Sequence, residues 1–267
     1  MKKIICLIIS VMLVFCLVSC DSGSETNNPD PTNKPTGTVT AAELVALVNA
    51  REQAGYGDNT VKVTMDMIAD TTVSGVTSQI KQSTEMYMKE SAANPVASVK
   101  MTVALPGEAD MVTEQYFANG YLYSSDNGTT YKKATIFEAV TGENSMTSGD
   151  MNDLIDGALE SKVDAQADGS YKLTIKIDPK SNNPLIDALL EGMGAQGITI
   201  NSVDAEITVD KDYFLSSMVI NIDLGTEIEG VGTVTMDFKV EATAQLLENY
   251  EIQVPAGIDI ENATEIQ

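Results

Sequence analysis

From Thr60 onward, apolar and polar residues alternate with a period of two over long runs. Val61, Val63, Met65 and Met67 alternate with Lys62, Thr64 and Asp66. Successive strand side chains point to opposite faces, so such a run is a strand with one apolar and one polar face. Ile80, Met86 and Met88 share one parity against Lys81, Glu85 and Lys89. Val99, Met101, Val103 and Leu105 do so against Lys100, Thr102 and Ala104. A strand near 110–118 is less clean. Gly120-Tyr121-Leu122-Tyr123 and Thr130-Tyr131-Lys132 then flank Asp126-Asn127-Gly128, a hairpin turn. Further strands are expected at 162–167 and 171–178, joined by Asp168-Gly169, and at 198–209, 213–224 and 232–244, with a short one near 250–254. Phe214, Met218, Ile220, Ile222 and Leu224 face one way, as do Val234, Met236, Phe238 and Val240. One-sided strands of this kind build antiparallel sheets, not buried parallel ones.

Three segments carry the helical period instead. Thr40-Ala41-Ala42-Glu43 is a capping box, and Leu44, Leu47 and Val48 follow at helical spacing until Gly55-Tyr56-Gly57, predicting a helix near 41–53. After a short turn at 136–140, Ser148 caps a stripe of Met151, Leu154, Ile155, Ala158 and Leu159. Asn183-Pro184 opens a third helix with Leu185, Ala188, Leu189 and Met193 on one side. About ten strands and three helices make an α+β fold without strand–helix alternation.

The N-terminus reads as an address. Lys2 and Lys3 precede the apolar run Ile4 to Val18. That run fits a signal h-region and falls short of the roughly 20 residues of a membrane span. Leu17-Val18-Ser19-Cys20 resembles the bacterial lipobox. The resemblance implies cleavage before Cys20 and a diacylglyceryl anchor on it, carrying acyl chains such as palmitate. Residues 1–19 are then a signal peptide and 20–39 the anchor and a flexible tether rich in Ser, Thr, Asn, Pro and Gly. Residues 40–267 form a single domain. About 18 flexible residues reach on the order of 25 Å, so the domain stays near the bilayer. Asp21 resembles an inner-membrane retention signal. The expected location is the outer face of the cytoplasmic membrane.

Composition narrows the chemistry. The chain has no His, and its three Cys are Cys6, Cys16 and Cys20. Removing residues 1–19 leaves 248 residues, a formal charge of −25 and one Cys, consumed by the anchor. Imidazole and thiolate catalysis, disulfides and His or Cys metal sites are excluded, and the charge repels nucleic acid. Gly192-Met193-Gly194-Ala195-Gln196-Gly197 matches GxGxxG, but a helix precedes it and a strand follows, the reverse of a phosphate site. Asp164 to Gly169 lacks the ligand spacing of a Ca²⁺ loop. No cofactor or metal is expected.

Methionine is the remaining signal. Met65, Met67, Met86, Met88, Met101, Met111, Met218 and Met236 lie on expected strands, all but Met111 with apolar parity. Flexible, polarizable thioethers fill cores and adapt to varied apolar ligands. The candidate cavity lining is Val63, Met65, Met67, Met86, Met88, Met101, Val103, Met218, Ile220, Met236 and Phe238.

Lipobox, polar tether, capped helix, long strands, mid-chain helices and further strands together resemble the LolA/LppX-like lipoprotein-carrier superfamily, especially its Gram-positive members. Tyr116-Phe117-Ala118-Asn119-Gly120-Tyr121-Leu122-Tyr123 and Thr130-Tyr131-Lys132-Lys133 add to the likeness, with Thr130-Tyr131 in place of the usual aromatic pair. The resemblance implies a strongly curved antiparallel half-barrel with helices on its concave face and an apolar cavity for acyl chains. It brings no catalytic motif. The expected function is therefore a membrane-anchored lipoprotein that binds or carries a hydrophobic ligand. The alternative is a cell-envelope interaction or sensor module, favoured by the acidic charge. A carboxylate-based hydrolase is a third reading, weakened by the absence of Trp for sugar stacking, and an enzyme is not expected.

Overall fold

The computed structural model describes residues 38–90, 94–126, 128–136, 155, 158–180, 186, 198–228 and 232–266. Its helix α1 spans Ala41–Gln53. The first six strands are β1 (Thr60–Val73), β2 (Val76–Lys89), β3 (Val96–Ala104), β4 (Met111–Ala118), β5 (Tyr121–Asp126) and β6 (Thr129–Ala134). The others are β7 (Ala158–Ala165), β8 (Tyr171–Ile177), β9 (Ile198–Val209), β10 (Leu215–Ile228), β11 (Gly232–Leu247) and β12 (Thr264–Glu265). Hydrogen-bonded neighbours follow the order β12-β6-β5-β4-β3-β2-β1-β11-β10-β9-β8-β7. The pairs from β2 to β6 and from β7 to β10 are antiparallel, whereas β12 runs parallel to β6. Among the described residues no helix is long and apolar enough to cross a membrane.

Among the described residues the protein is thus mainly β, with twelve strands rather than about ten, and α1 is the one fully described helix. The expected α+β balance is corrected in part at Ala158 and Leu159. These residues open β7 instead of closing a helical stripe, and Leu159 is 70% exposed. Ile155 is helical, as is the buried Ile186; the rest of those two expected helices lies outside the described residues. So do the signal peptide, Cys20, residues 21–37 and the stretch Gly192 to Gly197. The tail strand near 250–254 does not form. That segment runs without a ladder and buries Ile252 instead, and its Pro255 has no N–H to donate.

Turn chemistry sets the hairpins. Ser74 and Gly75 take φ of 51° and 82°, and Asn119 and Gly120 take 54° and 77°. Two successive positive-φ residues make the two-residue turn whose twist matches paired strands. The β9–β10 turn places Tyr213 at φ 62°, which delays β10 to Leu215. Asp210 holds this turn, its Oδ1 accepting from the backbone N–H of Asp212 (2.8 Å) and Phe214 (2.9 Å).

The chain divides into two compact units. Among the described residues, unit 1 comprises 38–55, 68–79, 155, 158–180, 186, 198–228 and 232–241. Here α1 begins at the capping box: the Glu43 N–H donates to Thr40 Oγ1 (3.3 Å) and the Thr40 N–H to Glu43 Oε2 (2.8 Å). The Thr40 N–H, and after it the Thr40 hydroxyl donating to the same Oε2 (2.8 Å), hold the Glu43 carboxyl below its usual range. Leu44, Val45, Leu47 and Val48 are buried, and α1 sits against β7. Buried residues on β8, β9, β10 and β11 form the unit's interior, each worth roughly 1.5–3 kcal/mol. One bulge switches parity. Asp223 pairs with Ser202 but Leu224 pairs with Ile200, leaving Asn201 extra. The buried residues of β9 accordingly pass from Ile200 to Val203, Ala205, Ile207 and Val209.

Unit 2 comprises, among the described residues, 56–67, 80–90, 94–126, 128–136 and 242–266. Its strands carry side chains that matter on both faces.

Candidate functional site

The first face of unit 2 follows from register. Lys62 Nζ meets Glu85 Oε1 at 2.6 Å and lies 5.2 Å from the Tyr87 ring centre. Even positions of β1 and odd positions of β2 therefore share one side. By alternation, Val63, Met65 and Met67 share the other with Gln82, Thr84, Met86 and Met88. On that side Met88 pairs with Ala97, Met86 with Val99, Thr84 with Met101 and Gln82 with Val103. The row continues onto β4, where Met101 pairs with Thr113 and Val103 with Met111. Seven of the candidate lining residues thus share a single three-strand face. Met67 and Met86 are buried, at 2% and 1% exposure, whereas Val63, Met65, Met88, Met101 and Val103 are only half-buried. Two buried polar residues sit in this apolar field, and Gln82 Nε2 donates to Thr84 Oγ1 at 3.4 Å.

The other four candidates belong to unit 1. Met218, Ile220, Met236 and Phe238 are at most 4% exposed, and Met218 pairs with Ile207 and Ile220 with Ala205. Their side chains fill the interior of that unit. Equal parity on different strands therefore produced two environments, one closed and one half-open.

The opposite face of unit 2 escapes a reading based on one apolar face per strand. Tyr87, Tyr116, Tyr121 and Tyr123 lie there, covered by the segment from Tyr250 to Ala263. Tyr250 stacks on Tyr87 at 5.1 Å with planes 10° apart, and Ile252 and Ile258 bury against Tyr116 and Tyr123. The Asp259 N–H donates to the buried Thr130 Oγ1 at 2.8 Å, fixing the strap to β6. Burial raises the Tyr116 phenol above its usual range, as does the neighbouring Tyr123. The signal available in the sequence was the run of tyrosines on the polar parity of β4 and β5.

Among the described residues unit 1 carries a cleft of about 370 Å³, lined by Asp70, Gln79, Ser202, Asn221, Asp223, Asp237 and Lys239 together with Ile68, Ile222 and Phe238. Gln79 Nε2 donates to Asp70 Oδ1 (2.9 Å), and Asn201 Nδ2, delivered by the bulge, donates to Asp223 Oδ1 (3.0 Å). Desolvation in the cleft, then the charges of Asp223 and Asp70, hold the carboxyl of the exposed Asp237 above its usual range. Among the described residues no three His, Cys, Asp or Glu side chains are grouped to hold a metal ion.

A family model, that of DUF6612, a family of unknown function, matches residues 46–263. The chain belongs to this family. The matched stretch takes in strands β1 to β11 and the covering strap of this DUF6612 member, and its family assigns no activity. No curated protein matches the chain. Among solved structures, LprF from Mycobacterium bovis is 14% identical, with 83% of this chain and 100% of that chain covered and a TM-score of 0.42. A DUF1329 family protein from Desulfovibrio piger is 9% identical, with 81% and 96% covered and a TM-score of 0.22. At these scores neither likeness fixes the fold. The half-open face of the DUF6612 member is an apolar field holding the Gln82–Thr84 amide–hydroxyl pair.

Proposed function

We propose that this chain is a membrane-anchored extracytoplasmic lipoprotein that binds a lipid or other hydrophobic ligand on the methionine face of unit 2. The observation that carries this reading is the contrast in burial. Met218 and Met236 are closed off in unit 1, while Met65, Met88 and Met101 keep part of their surface open. Open thioether surface beside aliphatic side chains gains free energy when an apolar ligand covers it, and flexible Met adapts to varied chains. The half-barrel implied by the carrier-superfamily resemblance would give this face its concavity. The anchor at Cys20 supplies proximity to lipid, on the outer face of the cytoplasmic membrane. The reading requires no catalytic group.

Two experiments test it. Lipid extraction and mass spectrometry of the full chain purified from its own membranes should recover lipid near one mole per mole, and repeated recovery of lipid-free protein would refute ligand binding. A Cys20→Ser chain should leave the membrane fraction; retention there would refute the anchor.

A further inference from the structure

Among the described residues all sulfur is thioether, and the eight methionines are graded in exposure. Met111 is 50% exposed, Met65, Met88 and Met101 are half-buried, and Met67, Met86, Met218 and Met236 are at most 2% exposed. Oxidants from solvent reach thioether sulfur by access. The accessible group beyond Met111 coincides with the open part of the ligand face.

Register adds a second observation. Thr84 lies directly opposite Met101 on the adjacent strand, is buried, and carries a hydroxyl that accepts from Gln82. An amide and a hydroxyl in an apolar field are costly there unless hydrogen-bonded. They are also the donors that a sulfoxide oxygen on Met101 needs.

We propose that Met65, Met88 and Met101 form an oxidant-responsive switch on the ligand face, with Met101 its principal site. This rests on the ligand-binding reading above. The step is a two-electron oxidation by a hydroperoxide: the thioether sulfur takes the distal oxygen, the O–O bond breaks, and water or an alcohol leaves. The apolar side chain becomes polar, and the face loses its affinity for apolar chains. The Thr84 hydroxyl donates to the new S=O and holds the oxidised form.

The test uses the full chain reconstituted in phosphatidylcholine nanodiscs and titrated with hydrogen peroxide. Peptide mass mapping reads sulfoxide at each Met, and a fluorescent hexadecanoate reads binding. Met111 oxidises first, then Met101, Met65 and Met88, with Met218 and Met236 last. Probe affinity falls about tenfold with the second group, as expected for a polar oxygen left facing an apolar chain. A chain carrying Met65→Leu, Met88→Leu and Met101→Leu binds the probe and keeps its affinity after peroxide. Thr84→Val removes the lead of Met101 over Met65. Equal oxidation of Met236, unchanged affinity of the oxidised wild type, or undiminished sensitivity of the triple-Leu chain overturns the switch. Failure of the untreated chain to take up probe overturns the ligand-binding reading itself, and the switch with it.

Discussion

At the scale of single residues, burial separates side chains that the sequence treats alike. Met65 and Met236 occupy equivalent positions in alternating runs, but Met236 is 0% exposed and Met65 half-buried. Met236→Ala leaves a cavity and should cost roughly 2–5 kcal/mol in urea unfolding, whereas Met65→Ala should cost about 1 kcal/mol. Equal losses would show that both residues are core. Asp237 gives a second test. Its carboxyl titrates above its usual range because of desolvation in the cleft and the charges of Asp223 and Asp70. A raised acid pKa makes the ionised form a penalty on the fold. That penalty is complete above the folded pKa and disappears as pH falls through it to the unfolded value near 3.8. Asp237→Asn should therefore raise the neutral-pH melting temperature slightly, solvent screening keeping the gain small. The gain should fade on acidification, and a gain independent of pH would contradict this account.

At the scale of elements, the local signals that survive are those with their own chemistry. The capping box of Thr40 and Glu43 starts α1 where the sequence places it, because side chains there satisfy the helix's own N–H groups. Strand positions were legible from alternation, to within a few residues. Two features were not. The Asn201 bulge changes parity inside β9, and no local pattern marks where a strand takes an extra residue. The segment after Tyr250 reads as a strand by propensity, yet it serves as a strap, because the tyrosines of β2, β4 and β5 offer it an apolar surface. Burial on Tyr87 and Tyr116 outweighs a ladder that Pro255 would interrupt. Tyr250→Ala should accordingly cost about 2 kcal/mol and increase amide exchange in β4 to β6. An unchanged exchange pattern would show that the strap adds nothing to that face.

At the scale of the whole molecule, the sequence made a mostly antiparallel sheet legible but carried the second helical stripe too far, since the Ala158–Leu159 step belongs to β7. The candidate site was legible only as a parity. Eleven residues shared it, and long-range packing then closed four of them into unit 1 and left five of the seven in unit 2 half-open. No local pattern distinguishes these outcomes, because they depend on what packs over each face. Membership in DUF6612 extends over this arrangement without assigning it a role. The central claim is that the half-open methionine face receives an apolar ligand. Its most direct measurement is a titration of the full chain with fluorescent hexadecanoate, beside a Met101→Glu chain shown by circular dichroism to be folded. The account predicts saturable uptake near one probe per chain for the first, weakened at least about tenfold by a buried unpaired charge in the second. Uptake that never saturates, or that Met101→Glu leaves unchanged, would contradict it.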